Sequence, residues 1–110
     1  MGTSVETMEF LLDQLYGHPG IAHRKMFGEY CLYLDGKTVA LICDDELFIK
    51  PTEPGAEFID ELDLAPPFPG VKDWYRITAD LWEDREWLTE LLELTAEALP
   101  APKPKKKRKA

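Results

Sequence analysis

Apolar residues recur at Val5, Met8, Leu11, Leu12 and Leu15, the three- and four-residue steps of one helical face. Thr3 and Glu6 stand three apart just ahead of them, the pattern of a capping box, and Gly17, Pro19 and Gly20 stop the run. This predicts a helix over 4–16. The period then changes. From Met26 to Asp44 polar and apolar positions alternate around Asp35-Gly36, the strongest short-range hairpin signal, because a type I′ turn needs positive φ at both central residues.

A two-residue turn sets Leu34 opposite Lys37, Leu32 opposite Val39, Tyr30 opposite Leu41 and Gly28 opposite Cys43. One face then carries Met26, Tyr30, Leu32, Leu34, Val39, Leu41 and Cys43 and is expected to be core. The other carries Phe27, Glu29, Cys31, Tyr33, Thr38, Ala40, Ile42 and Asp44. On that register Cys31 and Cys43 point to opposite faces, too badly directed for a disulfide. His18, His23, Arg24 and Lys25 fall in the loop leading to the first strand.

Asp44-Asp45 reads as a second turn and 46–50 as a third strand of an antiparallel meander. The segment 51–55 breaks it, and 56–62 predicts a short helix. Three prolines within 65–70 exclude a helix there. Val71 to Thr78 alternates as a further strand, with Trp74 and Tyr75 on opposite faces. A long helix over 80–99 closes the order, with Trp87, Leu88, Leu91, Leu92, Thr95, Ala98 and Leu99 on its apolar side. The expected class is α+β: a two-layer domain with helices on one face of an antiparallel sheet.

The chain has 110 residues, the size of one domain with a substantial core. The net charge of −8 hides an asymmetry. Six of the 13 basic residues are Lys103, Lys105, Lys106, Lys107, Arg108 and Lys109, so the body holds 7 basic residues against 21 acidic ones, or −14. Such a body repels nucleic acid and anionic membranes over most of its surface. The expected organisation is a domain over 1–99 and a disordered Pro/Lys-rich tail over 100–110. Neither a membrane-spanning run nor a signal-peptide pattern occurs, which points to a soluble protein inside the cell.

The tail has three readings: a solubilising end, a weak sequence-independent nucleic-acid contact, or an import signal. Glu86, Glu90, Glu93 and Glu97 form one acidic helix stripe, read as a solvated face or as a surface for a basic partner. Catalysis has little to stand on. No Gly-x-Ser-x-Gly, Walker or His-Glu-x-x-His spacing occurs, and nothing calls for a metal or cofactor.

The stretch RKMFGEYCLYLDGKTVALICDDELFIK resembles the signature of the TfoX/Sxy N-terminal domain, through Arg24, Lys25, Met26, Phe27, Gly28, Tyr30, Asp35, Gly36, Lys37, Leu47 and Lys50. PPFPG and WYRIT fit as well, so the resemblance runs from about Met8 to Leu99. It implies an α+β domain of the type III secretion chaperone-like kind. Better-known members regulate natural competence, acting on transcription with the catabolite activator protein, and carry a second, C-terminal helical domain; here Pro100 begins a tail instead. The resemblance implies no catalytic residues.

The resulting expectation is a non-enzymatic regulatory or adaptor domain in a bacterial cytoplasm, monomeric or homodimeric, working through protein contacts. Its candidate protein-binding residues are Arg24, Lys25, Phe27, Lys50 and Trp74. The alternative is an accessory nucleic-acid binder using Lys103, Lys105, Lys106, Lys107, Arg108 and Lys109.

Overall fold

A computed structural model describes residues 2–100. Helix α1 (Val5–Gln14) is followed by strands β1 (Ile21–Met26), β2 (Glu29–Leu34), β3 (Lys37–Cys43) and β4 (Glu46–Ile49). Then come α2 (Glu53–Phe58), β5 (Leu64–Ala65), β6 (Trp74–Ile77), α3 (Ala79–Trp82) and α4 (Arg85–Ala98). The strands form one antiparallel sheet in the order β1-β2-β3-β4-β6-β5. The α+β class follows the alternating and helical periods of the sequence.

Side chains from α1 (Met8, Leu11), α2 (Ala56, Phe58), α3 (Trp82) and α4 (Leu88, Leu91, Leu92, Ala96) share one core cluster with Leu32, Leu34, Val39, Ala40, Ile42, Leu47, Ile49, Tyr75 and Ile77 of the sheet. All four helices therefore bury their apolar sides on the same face of the sheet.

Several local expectations are corrected. The segment 21–26 is a strand, not a loop; it pairs with β2 from Ile21↔Leu34 to Met26↔Glu29. Phe27 and Gly28 form its two-residue turn, with φ of 51° and 81°. Gly28 is thus a turn residue and does not sit opposite Cys43.

The Asp35-Gly36 hairpin forms as expected through Leu34↔Lys37 and Tyr33↔Thr38. Beyond that pair the register shifts to Leu32↔Ala40, Cys31↔Leu41 and Tyr30↔Ile42, leaving Val39 as a β-bulge. Val39 and Ala40 both enter the core, and the rest of β3 inverts: Ile42 is buried among the helices, while Leu41 and Cys43 turn to the other face. Cys31 and Cys43 consequently share a face, as free buried thiols.

The helix ends also differ. Ser4, not Thr3, caps α1, accepting the Thr7 N–H. The Thr3 hydroxyl instead donates to Glu29 Oε1 at 2.7 Å. α2 begins earlier than expected because Thr52 caps it and Pro54 is tolerated in a first turn, where its missing N–H has no intrahelical partner to lose. The closing helix is two helices: Asp84 accepts the Trp87 N–H and starts α4 separately.

Candidate functional site

The two faces of the sheet differ sharply. Cys31, Cys43 and Phe48 are buried yet stand outside the helix-side cluster, so they mark the opposite face, which is helix-free among the described residues. The registers place Arg24, Cys31, Leu41, Phe48 and Arg76 in one row across five strands of that face. Lys50 and Trp74 lie one step along, with the Lys50 ammonium 5.9 Å from the centre of the Trp74 ring, within cation–π reach.

Of the expected site residues, Arg24, Lys50 and Trp74 are therefore brought to one face. Lys25 is not among them. It pairs with Tyr30, whose ring packs against the helix-side core, and its ammonium sits 6.0 Å from the centre of that ring. Arg24 and Lys25 are neighbours in sequence and leave β1 on opposite sides. Phe27 stands at the tip of the first hairpin and is 99% exposed, beside Met26 at 39%. The tail positions Lys103, Lys105, Lys106, Lys107, Arg108 and Lys109 lie outside the described residues.

The cations of the face are not equivalent. Arg76 donates to both carboxylate oxygens of Asp63 at 3.0 and 3.3 Å, and Glu46 lies 3.7 Å away. The Asp63 bonds hold the guanidinium above its already high ordinary pKa. Under the face, burial above all, with Glu29, Cys31 and Asp44 nearby, pushes the Cys43 thiol up to about 11. Burial also raises the Tyr33 hydroxyl, reinforced by Cys31 and opposed by Arg24.

One end of the sheet is clamped by a polar cluster that sequence reasoning missed. Asp45 accepts the Ser4 N–H and the Thr7 hydroxyl, both at 2.8 Å, and these bonds lower its pKa. Thr3 N–H donates to Gly28 O at 3.0 Å, and the Asp44 and Asp45 N–H groups donate to Glu29 and Thr3. The turn at Asp44-Asp45 has positive φ at both residues, which Asp tolerates.

Elsewhere, Phe58, Leu62, Leu81 and Trp87 line an open cleft of about 810 Å³, rimmed by Asp60, Glu61, Asp63 and Asp80. His18 Nε2 meets Glu93 Oε2 at 2.9 Å, so it is a structural link from the α1–β1 turn to α4 rather than a free loop histidine. Among the described residues no group of three or more His, Cys, Asp or Glu could hold a metal ion. Nor is any helix among them long and apolar enough to cross a membrane.

The model of the TfoX N-terminal domain matches residues 13–99. The chain belongs to the TfoX N-terminal domain family. The match contains every strand of this TfoX domain, including the hairpin that carries Arg24, Phe27 and Gly28. The domain is also similar to an uncharacterised 12.7 kDa protein in the trpE 5′ region of Spirochaeta aurantia, with 40% identity over 106 residues, spanning 96% of this chain and 91% of the relative.

Proposed function

We propose that the chain is a non-enzymatic regulatory or adaptor domain that acts through protein contacts, in transcription or competence-type regulation in a bacterial cytoplasm. Phe27 carries this reading. A phenylalanine at φ 51° and 99% exposure serves neither the turn, which favours Gly or Asn, nor the core. Exposed aromatics set in a strained backbone suit a partner's pocket. Arg24, Lys50 and Trp74 on the other face of the sheet supply further cationic and aromatic contact area, and Lys25 adds a cation on the helix side of β1.

The test compares immobilised wild type with Phe27→Asn and with Arg24→Glu plus Lys50→Glu as baits for host proteins. A protein retained by wild type and lost by both variants, with melting temperatures essentially unchanged, supports the reading. Equal retention by all three baits removes it.

The second reading is supported by the six cations of 103–109: they contact nucleic acid weakly and without sequence preference. Deleting 103–110 then abolishes DNA binding measured at about 50 mM salt, where phosphate contacts are strong. No binding by the full chain under those conditions ends this reading.

A further inference from the structure

The two ends of the sheet are finished differently. β5 is a two-residue strand, too short to template another chain. β1 is six residues long, has no proline and no bulge, and exposes five of its six side chains. In a two-residue hairpin the pair beside the turn, here Met26 and Glu29, exchanges both hydrogen bonds. Antiparallel alternation then directs the N–H and C=O of Lys25 and His23 away from β2, to the open edge. Ile21 is already engaged, since its N–H donates to His18 O at 3.3 Å.

The charge on this edge is opposite to that of the body. His23, Arg24 and Lys25 are consecutive on β1. Among the other basic residues of 2–100, Lys37 donates to Ala96 O, Arg76 is paired with Asp63, and Arg85 donates to Asp13 O, whereas Lys50 reaches only the Trp74 ring and Lys72 stands apart on the loop before β6. Among the described residues the cations of β1 also have no carboxylate or carbonyl partner, and they alone are adjacent on an open sheet edge, with Arg24 and Lys25 projecting to either side of the strand.

We propose that β1 is a strand-addition site for an extended acidic segment of a partner protein. The proposal rests on the protein-contact reading above and specifies the partner's chemistry. The segment's main chain bonds to His23 and Lys25, and carboxylates on its two sides meet Arg24 on the helix-free face and Lys25 on the helix side. A second copy of this chain fits poorly. The antiparallel register that leaves the engaged Ile21 out sets Arg24 against Arg24, like charges directly opposed. Charged residues on an edge strand also keep sheets from aggregating; that role alone gives no affinity for an acidic strand.

The experiment uses the full chain and a synthetic β-prone peptide of about eight residues, a usual strand length, with adjacent glutamates at its centre. A control peptide carries glutamines there. Binding is followed by fluorescence anisotropy and amide exchange by NMR. The glutamate peptide is expected to slow exchange of the His23 and Lys25 amides, and to bind at least about tenfold more tightly than the glutamine peptide at low salt. His23→Pro removes an edge donor without touching the β1–β2 bonds, a substitution edge strands tolerate; it keeps all Lys and Arg charges and is expected to lose the binding.

Equal affinity for the two peptides, unchanged exchange at both amides, or full binding by His23→Pro each overturn the proposal. Slowed exchange at these amides with rising protein concentration and no peptide overturns it in favour of a second copy. If His23→Pro does not fold, exchange in the native chain decides alone. Failure here with partner capture still dependent on Phe27 leaves the adaptor reading standing and removes only the strand-addition geometry.

Discussion

The Asp45 carboxylate accepts the backbone N–H of Ser4 at 2.8 Å, tying the β3–β4 turn to the residue that caps α1. Because these bonds favour the charged form, the carboxyl titrates below its ordinary range. The stability they contribute is present above the unfolded pKa of about 3.9 and is lost as pH falls through the lower folded value. Asn keeps the tolerance for positive φ and removes the charge. Asp45→Asn is therefore expected to melt below wild type at neutral pH, with the gap closing under acid conditions in a series of thermal scans.

Phe27 is expected to cost the fold stability. A side chain in the left-handed region costs roughly 1–2 kcal/mol relative to glycine's freedom there, and at 99% exposure the ring gains little by burial. Phe27→Gly should leave stability unchanged or raise it by up to about 1 kcal/mol in urea titrations. A marked loss would show that the ring supports the hairpin.

The bulge at Val39 makes a quantitative prediction about neighbours. Ile42 is fully buried among the helices, whereas Leu41 is half-buried on the helix-free face. Ile42→Ala is expected to cost about 2–5 kcal/mol, and Leu41→Ala clearly less. An uninterrupted two-residue register reverses that order, so the pair of denaturation curves tests the bulge directly.

Cys43 should be a slow thiol. With its pKa pushed up to about 11, almost none is thiolate at pH 8, and the side chain is 5% exposed. Its labelling by a disulfide reagent is expected to track unfolding. The native state holds this proton more tightly than the unfolded chain, so its contribution to stability is full below pH about 8.5 and fades as pH rises toward 11.

The parts legible in the sequence are those where one physical requirement dominates. Asp35-Gly36 announces a positive-φ turn, the three- and four-residue steps of α1 and α4 announce buried helix faces, and Tyr75 against Trp74 announces a two-sided strand. β1 escaped because an edge strand exposed on both sides has no alternation to read: Ala22 through Met26 are all exposed. Its turn escaped because Phe is not a residue that positive φ selects. The bulge was hidden by Val39, Ala40, Leu41 and Ile42 being apolar in succession, which satisfies either register equally. The split after α3 was written in Asp84 as a cap, masked by helix-compatible residues on both sides. Of the candidate site, residue types were legible but not their sides: the Arg24-Lys25 pair reads as one basic spot until β1 is known to be a strand.

The same bulge fixes chain length where it leaves residue identity free. Thr38 to Ile42 could exchange one aliphatic residue for another with modest repacking, but removing a single residue there would turn the far half of β3 inside out. Cys43 would move in among the helices and Ile42 onto the opposite, half-covered face. Insertions and deletions in this hairpin should therefore be tolerated in the turn and rejected between Thr38 and Ala40, making the segment far less forgiving of changes in length than of changes in spelling.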